Sequence, residues 1–120
     1  ALLADRGQPE AAAIPTLVKE ARAYIDQNYK ENICLADIAA ATHTNSYYLA
    51  HLFKEEIGLS PMKYVALRRM GEAQNLLINT DMSITQIAAQ VGYNNSNYFQ
   101  SVFKRAMGMT PREYRARWVL

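Results

Sequence analysis

The 120-residue sequence predicts an all-α protein built from one small helical unit used twice. Three observations carry that expectation. Apolar residues recur at helical spacing and no stretch alternates convincingly as a strand would. Half of the residues are hydrophobic and a fifth are charged, which suits packed cores and argues against a disordered chain. The stretch LFKEEIGLSPMKY, residues 52–64, returns as VFKRAMGMTPREY, residues 102–114.

The duplication extends well beyond that phrase. Ile38-Ala39-Ala40 lines up with Ile87-Ala88-Ala89 at an offset of 49, whereas Tyr48, Phe53-Lys54, Gly58, Pro61 and Tyr64 line up with Tyr98, Phe103-Lys104, Gly108, Pro111 and Tyr114 at an offset of 50. One residue is therefore inserted between the blocks, near Asn94–Asn97.

Taken in order, residues 1–13 read as a disordered linker remnant rich in Ala with a Gly and a Pro. They lack the basic segment and long apolar core of a signal peptide, and the absence of an initiator Met suggests a domain excised from a longer chain. Helices are expected over 15–29, 34–41, 45–57, 61–79, 83–91, 95–107 and 111–118. In the third, Leu49, Leu52, Phe53 and Ile57 make one apolar face; Phe99, Val102, Phe103 and Met107 repeat it in the sixth. Gly58 and Gly108 stand where a left-handed residue ends a helix. Pro61 and Pro111 open the next helix at the position where a missing N–H costs nothing. Ser83 with Gln86, and Thr110 with Glu113, have capping-box spacing. Cys34 takes the cap position that Ser83 fills in the second copy; a thiol caps poorly, and Cys34 reads as a small reduced residue. Along the longest helix, Tyr64, Leu67, Met70, Ala73, Leu76 and Leu77 are expected to form the apolar stripe. The expected organisation is a first helix-turn-helix subdomain over 14–60, a connecting helix over 61–80 and a second subdomain over 81–120.

Each copy holds a short helix, a turn (THTN at 42–45, GYNN at 92–95) and a helix of about twelve residues. Such corners also occur in bundles that bind nothing. The outer face of the second helix discriminates. With Leu49 at zero and about 100° per residue, the apolar group centres near 15°, while Lys54, Tyr47 and His51 fall at about 140°, 160° and 200°. Asn97, Ser101 and Lys104 point outward by the same arithmetic, with Gln100 beside them. A merely solvated face would favour Glu and Lys. Here it carries short-range hydrogen-bonding groups, of the kind that read base edges, and one Lys placed for a phosphate. A helix is narrow enough to enter the ~12 Å major groove of duplex DNA.

Charge agrees without compelling. Residues 1–61 hold five Lys/Arg against eight Asp/Glu, a net of −3, and residues 62–120 hold eight against three, a net of +5. The single cysteine excludes an internal disulfide and fits a reducing, intracellular setting. No apolar run approaches the ~20 residues needed to span a bilayer. His43 and His51 lack partners at ligand or catalytic spacing, so neither a metal site nor an enzyme is expected, and no cofactor.

The stretch ITQIAAQVGYNNSNYFQSVFKRAMGMTPREYR (84–115) resembles the DNA-binding domain of AraC/XylS-type bacterial transcription regulators. So do Arg69, Ala73 and Leu76-Leu77 in the connecting helix, and NSYYLAHLFKEEIGLSP (45–61). The likeness runs from about residue 16 to 118. It implies two helix-turn-helix subdomains, each placing its second helix in a major groove of double-stranded DNA. Base-facing residues would be Ser46, Tyr47, Ala50 and His51 in the first copy and Ser96, Asn97, Gln100 and Ser101 in the second. With Asn45, Asn95, Lys54 and Lys104, these make the expected DNA-binding set. Many members carry Arg where His51 and Ser101 stand, which implies a weaker or more A/T-leaning direct readout here. The connecting helix, about 18 residues and about 27 Å long, would hold the two readers about one DNA turn apart on an asymmetric site. Further implied partners are RNA polymerase for an activator and a companion sensory domain outside this sequence. The isolated domain is expected to be a cytoplasmic, nucleoid-associated monomer. The alternative is an all-helical module that binds a protein and no DNA.

Overall fold

Residues 14–118 are described in the computed structural model; the linker expected over 1–13 lies outside them. Seven helices follow one another: α1 Thr16–Asn28, α2 Leu35–Ala41, α3 Ser46–Ile57, α4 Pro61–Asn79, α5 Ile84–Gln90, α6 Ser96–Met107 and α7 Pro111–Trp118. No strand occurs among the described residues. The all-α expectation holds. Helix starts shift by one residue where the sequence reading included the cap, since Cys34, Asn45, Ser83 and Asn95 are N-caps.

The helices end as their chemistry requires. Gly58 and Gly108 are left-handed, at φ 91° and 79°, and their N–H groups donate to the carbonyls of Lys54 and Lys104 at 2.8 Å. Both capping boxes form: Ser83 and Gln86 exchange bonds of 2.9 and 3.1 Å, as do Thr110 and Glu113. At α2 the Cys34 backbone N–H donates to the Asp37 carboxylate at 2.8 Å. That half of the box rescues a start whose thiol contributes little.

By contact density the chain divides into two units. One comprises residues through Gln27 together with Cys34–Lys63; the other comprises Asn28–Ile33 with Tyr64 onward. In the first, Val18, Ala21, Ile25, Ile38, Leu49 and Phe53 are fully buried, and α2 packs on α3. In the second, Met70, Ala73, Leu77, Ile87, Ala88, Val91, Phe99 and Phe103 form one buried cluster. A run of rings continues it: Tyr93 to Phe99 at 5.6 Å, Phe99 to Phe103 at 6.0 Å and Phe103 edge-on to Tyr114 at 5.5 Å.

The stripe expected along α4 needs one correction. Leu67 is 55% exposed, whereas Val65 and Arg69 are buried with Met70, Ala73 and Leu77. Repeated steps of three drift backwards by about 60° each, so a 64-67-70-73-76 series walks around the helix rather than down one face.

The two turns reach one shape by different means. His43 stands at φ 58° and Gly92 at φ 108°. Thr44 donates to the Ala39 carbonyl and Tyr93 to that of Ala88, at 2.9 and 2.8 Å. Tyr93 thus matches Thr44, Asn95 matches Asn45, and the inserted residue is Asn94. Glycine is required only in the second turn. A Cβ on Gly92 would stand 2.9 Å from Arg69 Nε and 3.0 Å from the Tyr29 carbonyl oxygen.

Gly92→Ala should therefore cost about 2–4 kcal/mol, adding left-handed strain to a backbone overlap. His43→Gly should stay within about 1 kcal/mol of the parent, because relief of strain offsets added freedom in the unfolded chain. Urea denaturation of both variants tests the contrast. The Thr110 N–H and hydroxyl hold the Glu113 carboxyl below its ordinary range. A lowered folded value gives stability that is complete above the ordinary carboxylate range and is lost as pH falls through the folded value. Glu113→Gln should flatten the fall in stability that sets in as pH drops below the ordinary carboxylate range, read by urea denaturation across acid pH.

Candidate nucleic-acid interface

The geometry of α3 and α6 follows from the residues that pin their inner faces. Leu49 and Phe53 are wholly buried in α3, Phe99 and Phe103 in α6. A helix so fixed must offer its opposite face to solvent. Tyr47 is 82% exposed, and His51, Lys54, Asn97, Ser101 and Lys104 are exposed too. Ser46, Ala50, Ser96 and Gln100 are half-buried.

Hydrogen bonds within the helices decide what each side chain can still offer. The Asn45 and Asn95 side-chain oxygens accept the backbone N–H groups of Tyr48 and Tyr98, at 2.8 and 3.0 Å. Capping thus occupies their acceptors and leaves their NH2 groups to donate. The Ser101 hydroxyl donates to the Tyr98 carbonyl at 2.8 Å, so toward a ligand it presents lone pairs. Gln100 Nε2 donates to Ser96 Oγ at 3.2 Å, which leaves its carbonyl and one N–H. Asn97 retains both functions of a bidentate amide. On α3 the character differs. The Tyr47 and His51 rings stack at 6.3 Å and 11°, presenting an aromatic ridge with a phenol and an imidazole at its edges. The first copy offers rings and the second offers amides and hydroxyls.

Two residues outside the expected set share this surface. Tyr48 and Tyr98 are 51% and 57% exposed at matched positions beside the helix N-termini. Their place in the repeat was visible; their exposure was not, because about 100° from the core direction is a boundary where context decides. Tyr98 also packs on Tyr93, with ring centroids 5.9 Å apart.

Beneath the second turn lies a buried cation that local pattern reading does not reveal. The Arg69 Nε donates to the Tyr29 carbonyl at 2.6 Å and an Nη donates to that of Glu31 at 2.8 Å. Its guanidinium lies over the Tyr93 ring at 5.1 Å. Burial pushes the Tyr93 phenol up, and the Arg69 charge pulls the other way. In α7, Arg115 similarly donates to the carbonyls of Leu77 and Thr80, at 3.0 and 3.1 Å. Each arginine donates to carbonyls at or just beyond a helix end; the Glu31 carbonyl also accepts the Ile33 N–H at 2.9 Å. Among the described residues no cluster of three His, Cys, Asp or Glu side chains could hold a metal. No described helix is long and apolar enough to cross a membrane.

Comparison with known proteins places this geometry in a family. A model of a helix-turn-helix domain matches residues 38–117. The chain is 38% identical over 77 residues to the uncharacterized HTH-type transcriptional regulator YdiP of Escherichia coli, covering 64% of this chain and 25% of that protein. It spans about a quarter of the length of the curated relatives it matches. The C-terminal domain of AraT, a response regulator from Geobacillus stearothermophilus, superposes with a TM-score of 0.87 at 32% identity, covering 90% of each chain. A transcriptional regulator with an AraC-type DNA-binding domain from Chromobacterium violaceum gives 0.78 at 30% identity, over 92% of this chain and 96% of that one.

Removing the Arg69 guanidinium takes a donor from the Tyr29 carbonyl, leaves the Glu31 carbonyl with the Ile33 N–H alone, and removes the cation from the Tyr93 ring. Arg69→Met should destabilise the protein by about 2–4 kcal/mol, with Arg69→Lys restoring less than half of that loss, in thermal or urea unfolding.

Proposed function

This chain belongs to the AraC-type helix-turn-helix family, and we propose that it is the DNA-binding portion of a bacterial transcription regulator, with α3 and α6 each reading a major groove. The observation that supports the reading is the matched pair of exposed ridges, Tyr47–His51 and Asn97–Ser101. Each sits on a helix whose opposite face is buried and whose N-terminus is capped by an asparagine.

The chemistry follows from the side chains that remain available. Asn97 is suited to a bidentate bond with adenine, and Gln100 and Ser101 add acceptors for exocyclic amino groups. Tyr47 and His51 favour contact with thymine methyl groups and single hydrogen bonds at base edges. Ser46, Ala50 and Ser96 line the approach, where small side chains permit depth. Lys54 and Lys104, with the free NH2 groups of Asn45 and Asn95, meet phosphates and set register. The two ridges differ, so the site consists of two unlike half-elements rather than a palindrome. Binding, rather than turnover, is the activity. In the full protein a companion domain senses the signal, RNA polymerase is the further partner of an activator, and this portion acts as a monomer in the cytoplasm.

Selection from random duplexes, with sequencing of the bound pool, tests the reading. An asymmetric bipartite site is expected. Asn97→Ala should cost about 5- to 100-fold at one half-element and relax base preference there. Lys104→Ala should weaken all duplexes alike and lower the salt slope by about one. A pool without enrichment, or affinity that stays flat from about 50 to about 200 mM salt, would refute it.

A further inference from the structure

The two reading helices end on the same backbone and opposite charge. Gly58 and Gly108 are both left-handed and both close on the lysine four residues earlier at 2.8 Å. Between lysine and glycine, α3 carries Glu55-Glu56-Ile57 and α6 carries Arg105-Ala106-Met107. Residues 55 and 105 sit at matched positions, about 240° from the buried Leu49 or Phe99, and so about 45° from the outward direction. Each borders the reading ridge. All four residues at 55, 56, 105 and 106 are exposed, and neither glutamate pairs with a cation among the described residues. The imbalance extends to the units. The described residues of the first carry four Lys/Arg against five Asp/Glu; those of the second carry eight against four.

Two carboxylates in the last turn of a helix oppose its dipole, so they bring α3 no local stability. Glu55, at about 240°, acts toward the groove side; Glu56, at about 340°, stands on the far side of the exposed helix end and adds only to the local negative charge. A duplex carries one negative charge per ~1.7 Å, and the Debye length at ~0.1 M salt is about 10 Å, so a carboxylate at the groove edge is repelled. Arg105 at the matched place is attracted.

Resting on the DNA-binding reading, we infer that the two copies hold DNA unequally: the α6 unit anchors, and the α3 unit docks in a near-balanced equilibrium held back chiefly by Glu55, with Glu56 adding to the negative charge of the same helix end. The consequence for specificity is quantitative. A unit that can remain undocked limits what a mismatch costs, because the complex falls back on the anchor. Base changes under α3 are then tolerated more than base changes under α6. Relieving the repulsion drives docking toward completion and exposes the full penalty of a mismatch there.

The test uses the duplex enriched by selection, with each half-element scrambled in turn; the half whose preference changes in Asn97→Ala is the one under α6. In the parent, scrambling the α6 half should cost at least about 30-fold and scrambling the α3 half only about 3-fold. Glu55→Arg with Glu56→Ala, which installs the residues of the second copy, should bind the intact duplex about 10-fold tighter and steepen the salt slope by about one to two. In that variant, scrambling the α3 half should cost about 10-fold. The Glu55→Gln, Glu56→Gln double variant, which changes charge while keeping shape and helix preference, should move in the same direction by about half. Equal losses for the two halves in the parent would overturn the inference. So would double variants whose affinity and slope match the parent. A parent that enriches no duplex removes the DNA-binding reading and this inference with it, and is told apart from either result by that first step.

Discussion

Everything the surface offers depends on four side chains that it never shows. Leu49 and Phe53 in α3, and Phe99 and Phe103 in α6, are each fully buried one helical turn apart. An i, i+4 pair of that size fixes the rotation of a helix about its own axis, because a turn of even 30° would pull a ring out of its packing. Rotation is what a reading helix must not lose. The residues that face outward contribute almost nothing to folding, and they can vary only because the inner pair has already determined where they point. Burying one such ring is worth about 2–3 kcal/mol, more than any single contact on the exposed ridge.

The turn is the second requirement, and the two copies meet it differently. A tight corner between helices needs a left-handed residue. In the first copy His43 takes that conformation itself. In the second, the chain departs: Arg69 fills the space behind the turn, its guanidinium bonds the carbonyls of Tyr29 and Glu31, and no Cβ fits at position 92. Tyr93 then lies against the guanidinium, and Tyr98 lies against Tyr93. A buried charge would be costly alone; here the carbonyls of a stopped helix and an aromatic face offset its desolvation. The second copy is consequently the one whose N-terminal tyrosine has an aromatic partner.

Much of this was legible in the chain, and the reasons are local. Helices, left-handed glycines, capping boxes and the inner faces of α3 and α6 are decided by residues within four positions of one another, where helical geometry leaves little choice. The misses are of two kinds. Counting threes places Leu67 on the stripe, although Val65, Arg69, Ala73 and Leu77 show that the buried line advances in fours. Arg69 itself pairs with carbonyls 38 and 40 residues away, a distance at which no local pattern operates. The exposed ridge was found because residue type and angle agreed. Tyr48 and Tyr98 lie at the margin, where burial depends on a neighbouring element and the sequence alone does not decide it.

Duplication lets one copy serve as the control for the other. Where the copies agree, as at Gly58 and Gly108 or at Asn45 and Asn95, the shared feature belongs to the fold, since both units need it to close a helix or to begin one. Where they disagree on an exposed surface, folding is indifferent and the difference must be read elsewhere. Among the exposed disagreements, three border the outward ridge: Tyr47 against Asn97, His51 against Ser101, Glu55 against Arg105. On the proposed DNA-binding reading, the first two would alter which bases can be met, and the third the electrostatic terms on which they are met. On that same reading, a unit that kept its core, its caps and its closing lysine while reversing the charge beside its ridge would retain the shape for binding and give up part of the hold. The strength of its grip is then left to the bases it finds.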